Sequence, residues 1–459
     1  MKLATDWNRQ AILTAAFILA GFAATLAVSW PGHLSPDSIV QLLQGREGTY
    51  NSWHPPVMAW LLGQGDALIP GAGLFVAFDC VLLFGALFAL VAMNPGRATV
   101  ATAAIGLLVL LSPQVLLYQG LVWKDVLFAD TLVAGFVALA QAASAWERFR
   151  LRVVWLTASG ALLLLASLTR QNGAIVLPIA AAALAWIATR RGVAWARAVL
   201  LGAACLAVLL VAVAGARALL DLRGDGSDGP AEQIRLLQLY DLAGAVAHEP
   251  GLPLETLSDD DPKFVQVIRG KAARLYTPER NDPMAEDPSV DAALTNADPD
   301  EIGTQWRAFV AARPWLYLRV RATDFFWVFA TPDIVACRPI FTGIDGPEPE
   351  MKALNLPPRH DARDRALEIY GKAFLGTPVF SHVAFALLAL ACLVLLLRRR
   401  RPADLAIAAL LASALAFTAS FFAISIACDY RYLYALDLSA LVALVYLALD
   451  ARGILRETA

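Results

Sequence analysis

Five charged residues stand next to long apolar runs, and together they could carry out acid–base chemistry on an anionic substrate. Asp37 follows the first apolar run, and the pair Lys124 and Asp125 lies at the start of a later one. Arg170 and Arg431 each follow a further run. A carboxylate can take a proton from an attacking hydroxyl group, while the guanidinium fork of arginine binds two phosphate oxygens at once. The set therefore suits transfer from an anionic, lipid-linked donor to a hydroxyl group.

The stretch that carries Asp37 predicts a short helix after the first apolar run. Ser35 is a good N-cap, Pro36 fits the first helical position, and Asp37 falls in the first turn. The helix dipole favours the ionised form of Asp37, which is the form that a base needs. We expect the helix to end at Gly45 and to lie along the membrane surface. The alternative is that Asp37 only starts a helix.

Three further side chains are candidates for supporting roles. His54 closes the same loop just before two prolines, and Tyr430 and Tyr432 flank Arg431. A structural hydrogen bond at the end of the loop is the simpler explanation for His54.

Simpler explanations also exist for the charged residues. Lys124 and Asp125 could pair with each other at the membrane interface, and Arg170 and Arg431 could extend to the lipid headgroups.

Four more acids lie within or beside apolar spans. Asp79 and Asp130 lie inside the second and fourth spans, where carboxylates are functional candidates by default. Either one could instead pair with a polar group on a neighbouring helix. Asp429 and Asp437 could position Arg431.

The composition is typical of a polytopic helical membrane protein. Of the 459 residues, 58% are hydrophobic and only 17% are charged, and the mean hydropathy is +0.58. Repeated apolar runs of about 20 residues match the thickness of a bilayer. The formal net charge of −2 gives no bulk attraction to nucleic acid. The five cysteines show no metal-binding or redox spacing.

About ten membrane-spanning helices are predicted, together with an interfacial helix at 55–69. That segment is short and carries Gln64 and Asp66, so we expect it to lie along the surface. The first span follows a short N-terminus that contains Lys2, and we interpret it as retained rather than cleaved. The predicted spans are 11–29, 72–92, 98–117, 126–145, 153–169, 174–189, 198–220, 376–397, 403–427 and 432–450.

The distribution of basic residues sets the orientation. With ten spans and a cytoplasmic N-terminus, basic residues concentrate in the inner loops, as the positive-inside rule requires. Asp37 is then outside the cytoplasm. The short outer loops hold only isolated basic residues, namely Arg46, Lys124, Arg170 and Arg431. The inner loops and tail hold Arg97, Arg148, Arg150, Arg152, Arg190, Arg191, Arg398, Arg399, Arg400, Arg401, Arg452 and Arg456.

This topology divides the chain into three parts. Residues 1–220 form an N-terminal transmembrane catalytic module, in which 30–71 is the first outer loop. Residues 221–375 form an extracytoplasmic subdomain, and 376–459 form a C-terminal transmembrane module. The middle part is acidic and contains helical stretches, which predicts a small, mostly helical subdomain with mobile loops. Near its end, aromatic residues alternate with Arg313, Arg319 and Arg321, a pattern that favours a helix at the headgroup level.

Several of these motifs resemble those of a known family. The motif Ser35-Pro36-Asp37-Ser38 is followed about 17 positions later by His54-Pro55-Pro56, and Ser112-Pro113 leads to Lys124-Asp125. The stretch LTRQNG at 168–173 and the pair Arg431-Tyr432 complete the set. Together they resemble the C-type fold of integral-membrane glycosyltransferases, the group that contains the protein O-mannosyltransferases and the aminoarabinose and rhizobial lipid A glycosyltransferases. The likeness covers roughly 10–190 and, weakly, 376–450.

The resemblance implies an inverting transfer of a hexose or pentose from a polyprenyl-phosphate donor. The acceptor would be a hydroxyl group on a glycan, lipid or protein, and the active site would face the periplasm or exterior of a bacterial inner membrane. Asp37 would be the base and Asp125 the second acid. Lys124, Arg170 and Arg431 would bind the donor phosphate.

Two positions depart from the family pattern and leave the sugar open. Ser38 stands where the protein mannosyltransferases have a second acid, and Arg170 stands where members often have lysine. The implied chemistry requires no cofactor. No metal-ligand spacing is visible, although carboxylates from separate loops could meet around a divalent ion.

Two other classes of function compete with this interpretation. A transporter or lipid flippase would show paired half-repeats and helices broken at mid-membrane, and the sequence shows no repeat. A structural membrane protein without chemistry would leave the clustering of these charges unexplained. If Asp37, Asp125, Arg170 and Arg431 lie more than roughly 15 Å apart, which is farther than a small-molecule site spans, a structural protein becomes the better interpretation.

Overall fold

The computed structural model of the chain describes residues 7–449, and all regular secondary structure in that range is helical. Extended segments meet there only as isolated β-bridges. Nine of the described helices are long and apolar enough to cross a membrane, or ten if one bent helix pair counts as one span. The prediction of an all-α polytopic membrane protein with about ten spans is confirmed. Lys2, Arg452 and Arg456 lie outside the described residues.

The N-terminal part is built from ten α-helices and three single turns of 3₁₀-helix. The α-helices are α1 (Arg9–Ser29), α2 (Pro36–Glu47), α3 (Val57–Leu68), α4 (Gly73–Met93), α5 (Val100–Leu110), α6 (Pro113–Leu116), α7 (Lys124–Ser144), α8 (Phe149–Thr169), α9 (Val176–Arg190) and α10 (Trp195–Asp221). The 3₁₀ turns are Pro95–Arg97, Tyr118–Gly120 and Gly173–Ile175.

Residues 221–375, predicted to lie outside the cytoplasm and called the external segment from this point, contain mainly short helices, and three long helices follow them. The external helices are α11 (Gly229–His248), α12 (Glu255–Asp260), α13 (Pro262–Val267), the π-helical turn Ile268–Ala272, α14 (Ala273–Leu275), α15 (Asp282–Ala285), α16 (Pro288–Asn296), α17 (Pro299–Ala312), α18 (Pro314–Ala330), α19 (Glu348–Ala353) and α20 (Ala362–Lys372). The last part contains the 3₁₀ turn Pro378–Phe380, α21 (His382–Arg399), α22 (Pro402–Ile424), the 3₁₀ turn Tyr430–Leu433 and α23 (Tyr434–Ala448).

The helix α7 lies at the centre of the bundle. It packs against α4, α8, α22 and α23, and nearly all of its side chains are buried. Because protein rather than lipid surrounds it, the charged residues in its first turn must find protein partners.

The third predicted span is broken into two helices. The axes of α5 and of the segment Pro113–Gly120 meet at 54°. Pro113 has no backbone N–H and disfavours a helical conformation at the residue before it, and Ser112 is indeed extended. The break turns the chain back towards the loop that follows α1, where the amide of His33 donates to the carbonyl of Gly120 at 2.8 Å.

The helix that carries Asp37 continues past its predicted end. It runs through Gly45 to Glu47, and Gly48, at a φ of 70°, provides the left-handed C-cap. Gly45 has a packing role instead, because a Cβ there would overlap the backbone of α3 at Gly63. Two glycines in contact let the helices approach closely.

The segment predicted to lie at the interface forms α3, a helix of 12 residues that is too short to span a bilayer. Arg46 of α2 donates to both carboxylate oxygens of Asp66 of α3, at 2.7 and 2.8 Å. This bidentate ion pair and the contact between glycines hold α2 against α3.

The helix α18 turns one of its arginines inward, and its position at the headgroup level stays a prediction. Trp315 is exposed, but Arg321 is fully buried. The guanidinium of Arg321 contacts Asp241 at 2.5 Å and Asp324 at 2.6 Å. It also donates to the carbonyl oxygen of Ser425 at 2.9 Å.

Two buried carboxylates share this arginine. Burial raises the pKa of Asp324 to about 7 and that of Asp241 to about 6, although the positive charge of Arg321 opposes the rise. Ser425 follows the end of α22, so the network ties α11 and α18 to the stretch that leads to Arg431.

A disulfide between Cys337 and Cys428 joins the external segment to the same stretch. The spacing of the cysteines did not reveal this bond, because 91 positions separate the two residues and no motif marks them. Disulfides persist in oxidising compartments. The bond therefore agrees with the orientation that the basic loops predict.

We expect the substitution Arg321→Met to destabilise the protein by about 3–5 kcal/mol, because it leaves two buried carboxylates without their cation. Thermal unfolding of the purified protein in detergent measures the effect. Arg319→Met is the matched control, since Arg319 is exposed on the same helix. Equal melting temperatures for the two variants would contradict the inward role of Arg321.

The disulfide also predicts a thiol count. Unfolded, unreduced protein should take up three maleimide groups, because Cys80, Cys205 and Cys392 are free, and reduced protein should take up five. Intact-mass measurement counts the adducts. In the control variant Cys428→Ser the count should be the same with and without reduction. Five adducts on the unreduced native sequence would show that the bond is absent.

Candidate active site

Two distant segments are held side by side at the predicted outer end of the bundle. The amide of His33 donates to Gly120, and the amide of Val122 donates back to the carbonyl of His33 at 3.1 Å. The hydroxyl of Ser38 donates to the carbonyl of Val122 at 2.6 Å, and the indole of Trp123 donates to the N-cap hydroxyl of α2 at 2.9 Å. The first turns of α2 and α7, which carry the two predicted acids, therefore lie next to each other.

Asp37 contacts a cation and a histidine. Its Oδ2 lies 2.7 Å from Nη2 of Arg431, and its Oδ1 lies 3.9 Å from Nε2 of His54. Nζ of Lys124 lies 2.9 Å from Nδ1 of His54. Because an ammonium group can only donate, Nδ1 accepts and the proton of neutral His54 is on Nε2, towards Asp37. The Asp37 side chain stays 33% exposed, so a substrate can reach it.

Asp125 is buried behind this layer. It forms a short ion pair with Arg170 and lies 4.0 Å from Nε of Arg431. Asp125 is only 3% exposed and Arg170 7%, and such buried charges are stable only when paired. The guanidinium of Arg170 lies 5.5–5.8 Å from the centres of three rings, those of Phe417, Phe421 and Tyr432.

Arg431 is the residue that links the two acids. Its Nη2 also lies 3.3 Å from Asp429. The guanidinium stacks over Trp123, 5.0 Å from the ring centre, and lies 5.7 Å from the ring centre of Tyr432. Cation–π contacts of this kind add to the ion pairs. One cation therefore serves three carboxylates.

The charges in this cluster fix the protonation of two groups outside the spans. Burial raises the pKa of Asp37, but the charge and hydrogen bond of Arg431, together with smaller effects of His54 and Lys124, outweigh burial and hold the pKa well below its usual range. Burial and then the charge of Lys124 lower the pKa of His54 to about 3, against the opposing effect of Asp37. At neutral pH, Asp37 is ionised and His54 is neutral.

Asp429 connects the cluster to the external segment. It lies 3.3 Å from Arg431 and 3.4 Å from Arg280, and Arg280 also donates to the carbonyl of Ala336 at 2.8 Å. Asp429 could not be ranked from the sequence alone, because its partner Arg280 lies 149 positions away. The sequence reasoning also assigned no role to Trp123, which the structure places beneath Arg431.

The structure joins seven of the eight candidate residues in one network of contacts. Tyr430 lies apart, because its hydroxyl donates to Asp437 at 2.6 Å and its ring stacks on His382. Asp437 is also 2.9 Å from His382. Tyr430 and Asp437 therefore support the core beneath the cluster rather than the cluster itself. The seven joined residues are Asp37, His54, Lys124, Asp125, Arg170, Arg431 and Tyr432.

The two acids within spans lie outside this network. Asp130 accepts a hydrogen bond from Gln119 at 2.9 Å, and the carboxylate of Asp79 has no hydrogen-bond partner among the described residues. Both side chains are buried.

The donor set of the cluster suits a phosphate better than a metal ion. Among the described residues, no three or more His, Cys, Asp or Glu side chains converge as a metal site. Asp37, Asp125 and Asp429 are each engaged by a guanidinium group. A divalent ion could bind these carboxylates only by displacing the arginine side chains from them. A phosphate oxygen could instead bind the arginines in place of one carboxylate.

The low pKa of His54 predicts a pH dependence of stability. Below about pH 6.5, the unfolded chain protonates His54 and the folded protein does not until about pH 3, so stability falls as pH falls through this window. The difference in melting temperature between the native sequence and His54→Gln should therefore shrink or reverse from pH 7 to pH 4. His360→Gln, at an exposed position, is the control. A pH-independent difference for His54→Gln would contradict the assignment.

Comparisons with known proteins find a likeness in structure only. No family model and no curated protein matches the chain. One similar structure is the archaeal oligosaccharyltransferase AglB from Archaeoglobus fulgidus in complex with an inhibitory peptide and a dolichol-phosphate, at 14% identity and a TM-score of 0.40. The alignment covers 97% of this chain and 51% of that one.

A second similar structure is the Archaeoglobus fulgidus oligosaccharyltransferase in complex with Zn and sulfate, at 14% identity and a TM-score of 0.42. The alignment covers 96% of this chain and 49% of that one, so the chain spans about half the length of both. The resemblance to mannosyl- and aminoarabinose transferases stays a prediction. At this level of similarity, the function has to be inferred from the residues of the cluster.

Proposed function

We propose that the protein is a membrane glycosyltransferase that moves a sugar from a polyprenyl-phosphate donor to an acceptor hydroxyl group, with inversion at the anomeric carbon. The observation that carries this proposal is the cluster around Arg431. It combines an accessible, ionised carboxylate at Asp37 with guanidinium and ammonium groups from three other parts of the chain.

Donor binding would free the base. A phosphate oxygen that approaches Arg431 competes with Asp37 for the same guanidinium, and arginine binds phosphate in a bidentate manner. Once the phosphate compensates the charge of Arg431, the pKa of Asp37 rises, and the carboxylate becomes a better proton acceptor.

The transfer is then a single displacement at the anomeric carbon. The acceptor oxygen forms a bond to the anomeric carbon while the bond from that carbon to the phosphate oxygen breaks. Asp37 takes the acceptor proton, and the polyprenyl phosphate leaves with the bonding electrons. Arg431 and Lys124 stabilise the charge that grows on the leaving phosphate. A single displacement of this kind inverts the configuration.

The buried layer keeps these groups in place. Asp125, the second acid, holds Arg170 and lies near Nε of Arg431, so it orients the cations from below. Neutral His54 accepts from Lys124 and turns its Nε2 towards Asp37. Tyr432 covers both guanidinium groups.

Two independent features support an extracytoplasmic active site. The basic loops lie at the other end of the spans, and the Cys337–Cys428 disulfide lies beside Arg431 and requires an oxidising compartment. In a bacterium this side is the periplasm or the exterior, and the membrane is the inner or plasma membrane.

The external segment 221–375 is proposed to present the acceptor. The start of α11 packs on the first loop, because the Ser52 hydroxyl donates to the carbonyl of Ser227 at 2.6 Å. Gln171 donates to both the Trp53 carbonyl and Gln233 of α11, at 3.3 and 3.1 Å. Residues 1–220 and 376–459 would then form the transmembrane modules that bind the donor.

The substitution Asp37→Asn should lower the rate of sugar transfer by about 10²–10⁴-fold, because the amide cannot take the acceptor proton. Purified protein is incubated with polyprenyl-phosphate hexoses and pentoses, and release of free polyprenyl phosphate is followed with and without a chelator. The matched control is Asp345→Asn, since Asp345 is exposed and binds Leu34 only through its backbone amide.

Three outcomes decide the proposal. Loss of release in Asp37→Asn, in protein that still unfolds cooperatively on heating, supports the role of Asp37. Full activity of Asp37→Asn would remove it from that role. Activity that disappears with chelator and returns with a divalent ion would show that a metal takes part, with carboxylates released from arginine as its ligands.

A second candidate function is movement of a lipid across the membrane. The break between α5 and α6 borders an apolar groove of about 630 Å³, which Leu108, Phe385 and Leu388 help to line. Broken helices are typical of transporters. Transbilayer movement of a fluorescent lipid by protein that releases no polyprenyl phosphate would favour this function.

A further inference from the structure

The residues 49–56 join α2 to α3 without helical structure and carry His54 into the Arg431 cluster. This His54 loop places the imidazole between two charged groups. Nδ1 of His54 lies 2.9 Å from Nζ of Lys124, and Nε2 lies 3.9 Å from Oδ1 of Asp37. Because ordering an irregular loop costs conformational entropy, contacts elsewhere must hold the histidine in this position.

A stretch near the start of the external segment provides these contacts. Residues 223–229 read RGDGSDG, a composition that is typical of a loop or linker. In the structure they run beside the His54 loop instead. The amide of Tyr50 donates to the carbonyl of Arg223 at 2.9 Å, and the amide of Asp225 donates back to the carbonyl of Tyr50 at 3.0 Å. We call residues 223–229 the strap.

Ser52 joins the His54 loop to the strap through both its hydroxyl and its amide. The hydroxyl donates to the carbonyl of Ser227 at 2.6 Å and accepts from the amide of Gly229 at 2.8 Å. The amide of Ser52 donates to the hydroxyl of Ser227 at 3.1 Å. Gly229 is the first residue of α11, so Ser52 supplies an acceptor for an amide that has none within its helix.

Trp53, which directly precedes His54, is held from two sides. Its carbonyl oxygen accepts from Gln233 of α11 and, at 3.3 Å, from Gln171. Gln171 also donates to the side chain of Gln233 at 3.1 Å. Because Gln171 follows Arg170 in the chain, these bonds connect the His54 loop both to the external segment and to the buried layer of the cluster.

Gly229 allows the strap and the His54 loop to approach this closely. A Cβ at this position would lie 2.3 Å from the amide nitrogen of Trp53 and 2.4 Å from the carbonyl carbon of Ser52. Real Cβ atoms do not come so near to backbone atoms, so any side chain here would push the loop away from the strap. The position of the loop therefore depends on the absence of a side chain at residue 229.

We propose that Ser52 and Gly229 are positioning residues for the transfer reaction. Through the strap they keep His54 where it accepts from Lys124, and this bond directs the ammonium group towards the leaving phosphate. The inference rests on the proposed function, because it assigns the two residues a part in the same reaction. Since the strap belongs to the external segment, the segment that is proposed to present the acceptor also sets the position of a group in the active site.

The alternative is that the strap only stabilises the fold. Both explanations predict a lower melting temperature for variants of the strap, so melting temperature cannot separate them. Access to His54 and the kinetics of transfer can separate them. A purely structural role would leave the Nδ1 atom of His54 on Lys124, and kcat of the folded protein would not change.

The experiment compares Gly229→Ala with Gly251→Ala in the full chain. Among the described residues, no heavy atom would lie within 4 Å of a Cβ at Gly251, so this control adds the same methyl group in open space. Diethyl pyrocarbonate modifies the unprotonated nitrogen of a neutral histidine. Peptide mass spectrometry measures the rate of modification at His54, and His360, which is exposed, serves as the internal reference.

We expect Gly229→Ala to raise the rate of modification at His54 about tenfold or more, because a hydrogen bond to a charged group protects Nδ1 by at least that factor. In the release assay with a polyprenyl-phosphate donor, kcat should fall about 10–100-fold while the donor KM stays within about twofold, since a misplaced group weakens the transition state more than donor binding. Gly251→Ala should match the native sequence in both measurements.

Each outcome supports or overturns the proposal. Faster modification and a lower kcat, confined to Gly229→Ala, support it. Equal modification rates in the two variants, or faster modification with the native kcat, overturn it. If the native sequence releases no polyprenyl phosphate, the proposed function fails, and the modification rates still decide whether the strap holds His54.

A second pair of variants serves if Gly229→Ala does not fold. Ser52→Ala removes the hydroxyl that joins the His54 loop to the strap, and the same two changes are expected. The matched control is Ser289→Ala, because Ser289 is exposed and its hydroxyl donates to Asp287 at 2.6 Å. Equal modification rates and equal kcat in these two variants would overturn the proposal.

Discussion

One guanidinium shared among three carboxylates holds the predicted outer end of the bundle together. Arg431 contacts Asp37 directly, reaches Asp429 and lies near Asp125. Charges at the edge of an apolar bundle are stable only with partners, so this cation fixes where the first loop, α7 and the end of α22 meet. The contact with Arg431 also restrains Asp37, the carboxylate that faces solvent. The structure of this region and its proposed chemistry therefore both depend on Arg431.

Three further connections hold Arg431 between these carboxylates. Backbone and side-chain hydrogen bonds join the start of α2 to the start of α7. Buried Arg321 binds α11 and α18 to the end of α22, and the Cys337–Cys428 disulfide fixes the stretch just before Arg431. The external segment thus helps to build the cluster, although its role in recognising an acceptor is part of the proposal.

The sequence predicted what depends on local rules and missed what depends on distant contacts. Hydropathy indicated the spans, because the thickness of the bilayer sets their length. Ser35 and Pro36 indicated the N-terminus of α2, because capping is a local interaction. Glycine at position 45 indicated a helix end, yet tertiary packing against Gly63 uses it inside the helix. The Arg280–Asp429 contact and the disulfide join residues 149 and 91 positions apart, and no periodicity marks such pairs. The positions of Tyr430 and Tyr432 on either side of Arg431 predict similar roles, but a 3₁₀ turn directs the two side chains to different surroundings.

The contact between Asp37 and Arg431 is the central claim, and a double-mutant cycle tests it most directly. The free energy of unfolding is measured for the native sequence, Asp37→Asn, Arg431→Gln and the double variant. For two groups in contact, the account predicts an interaction energy of about 0.5–3 kcal/mol, with the double variant less destabilised than the sum of the single ones. An interaction energy of zero within error, with each single variant folded, would show that the two residues do not meet and would contradict the account.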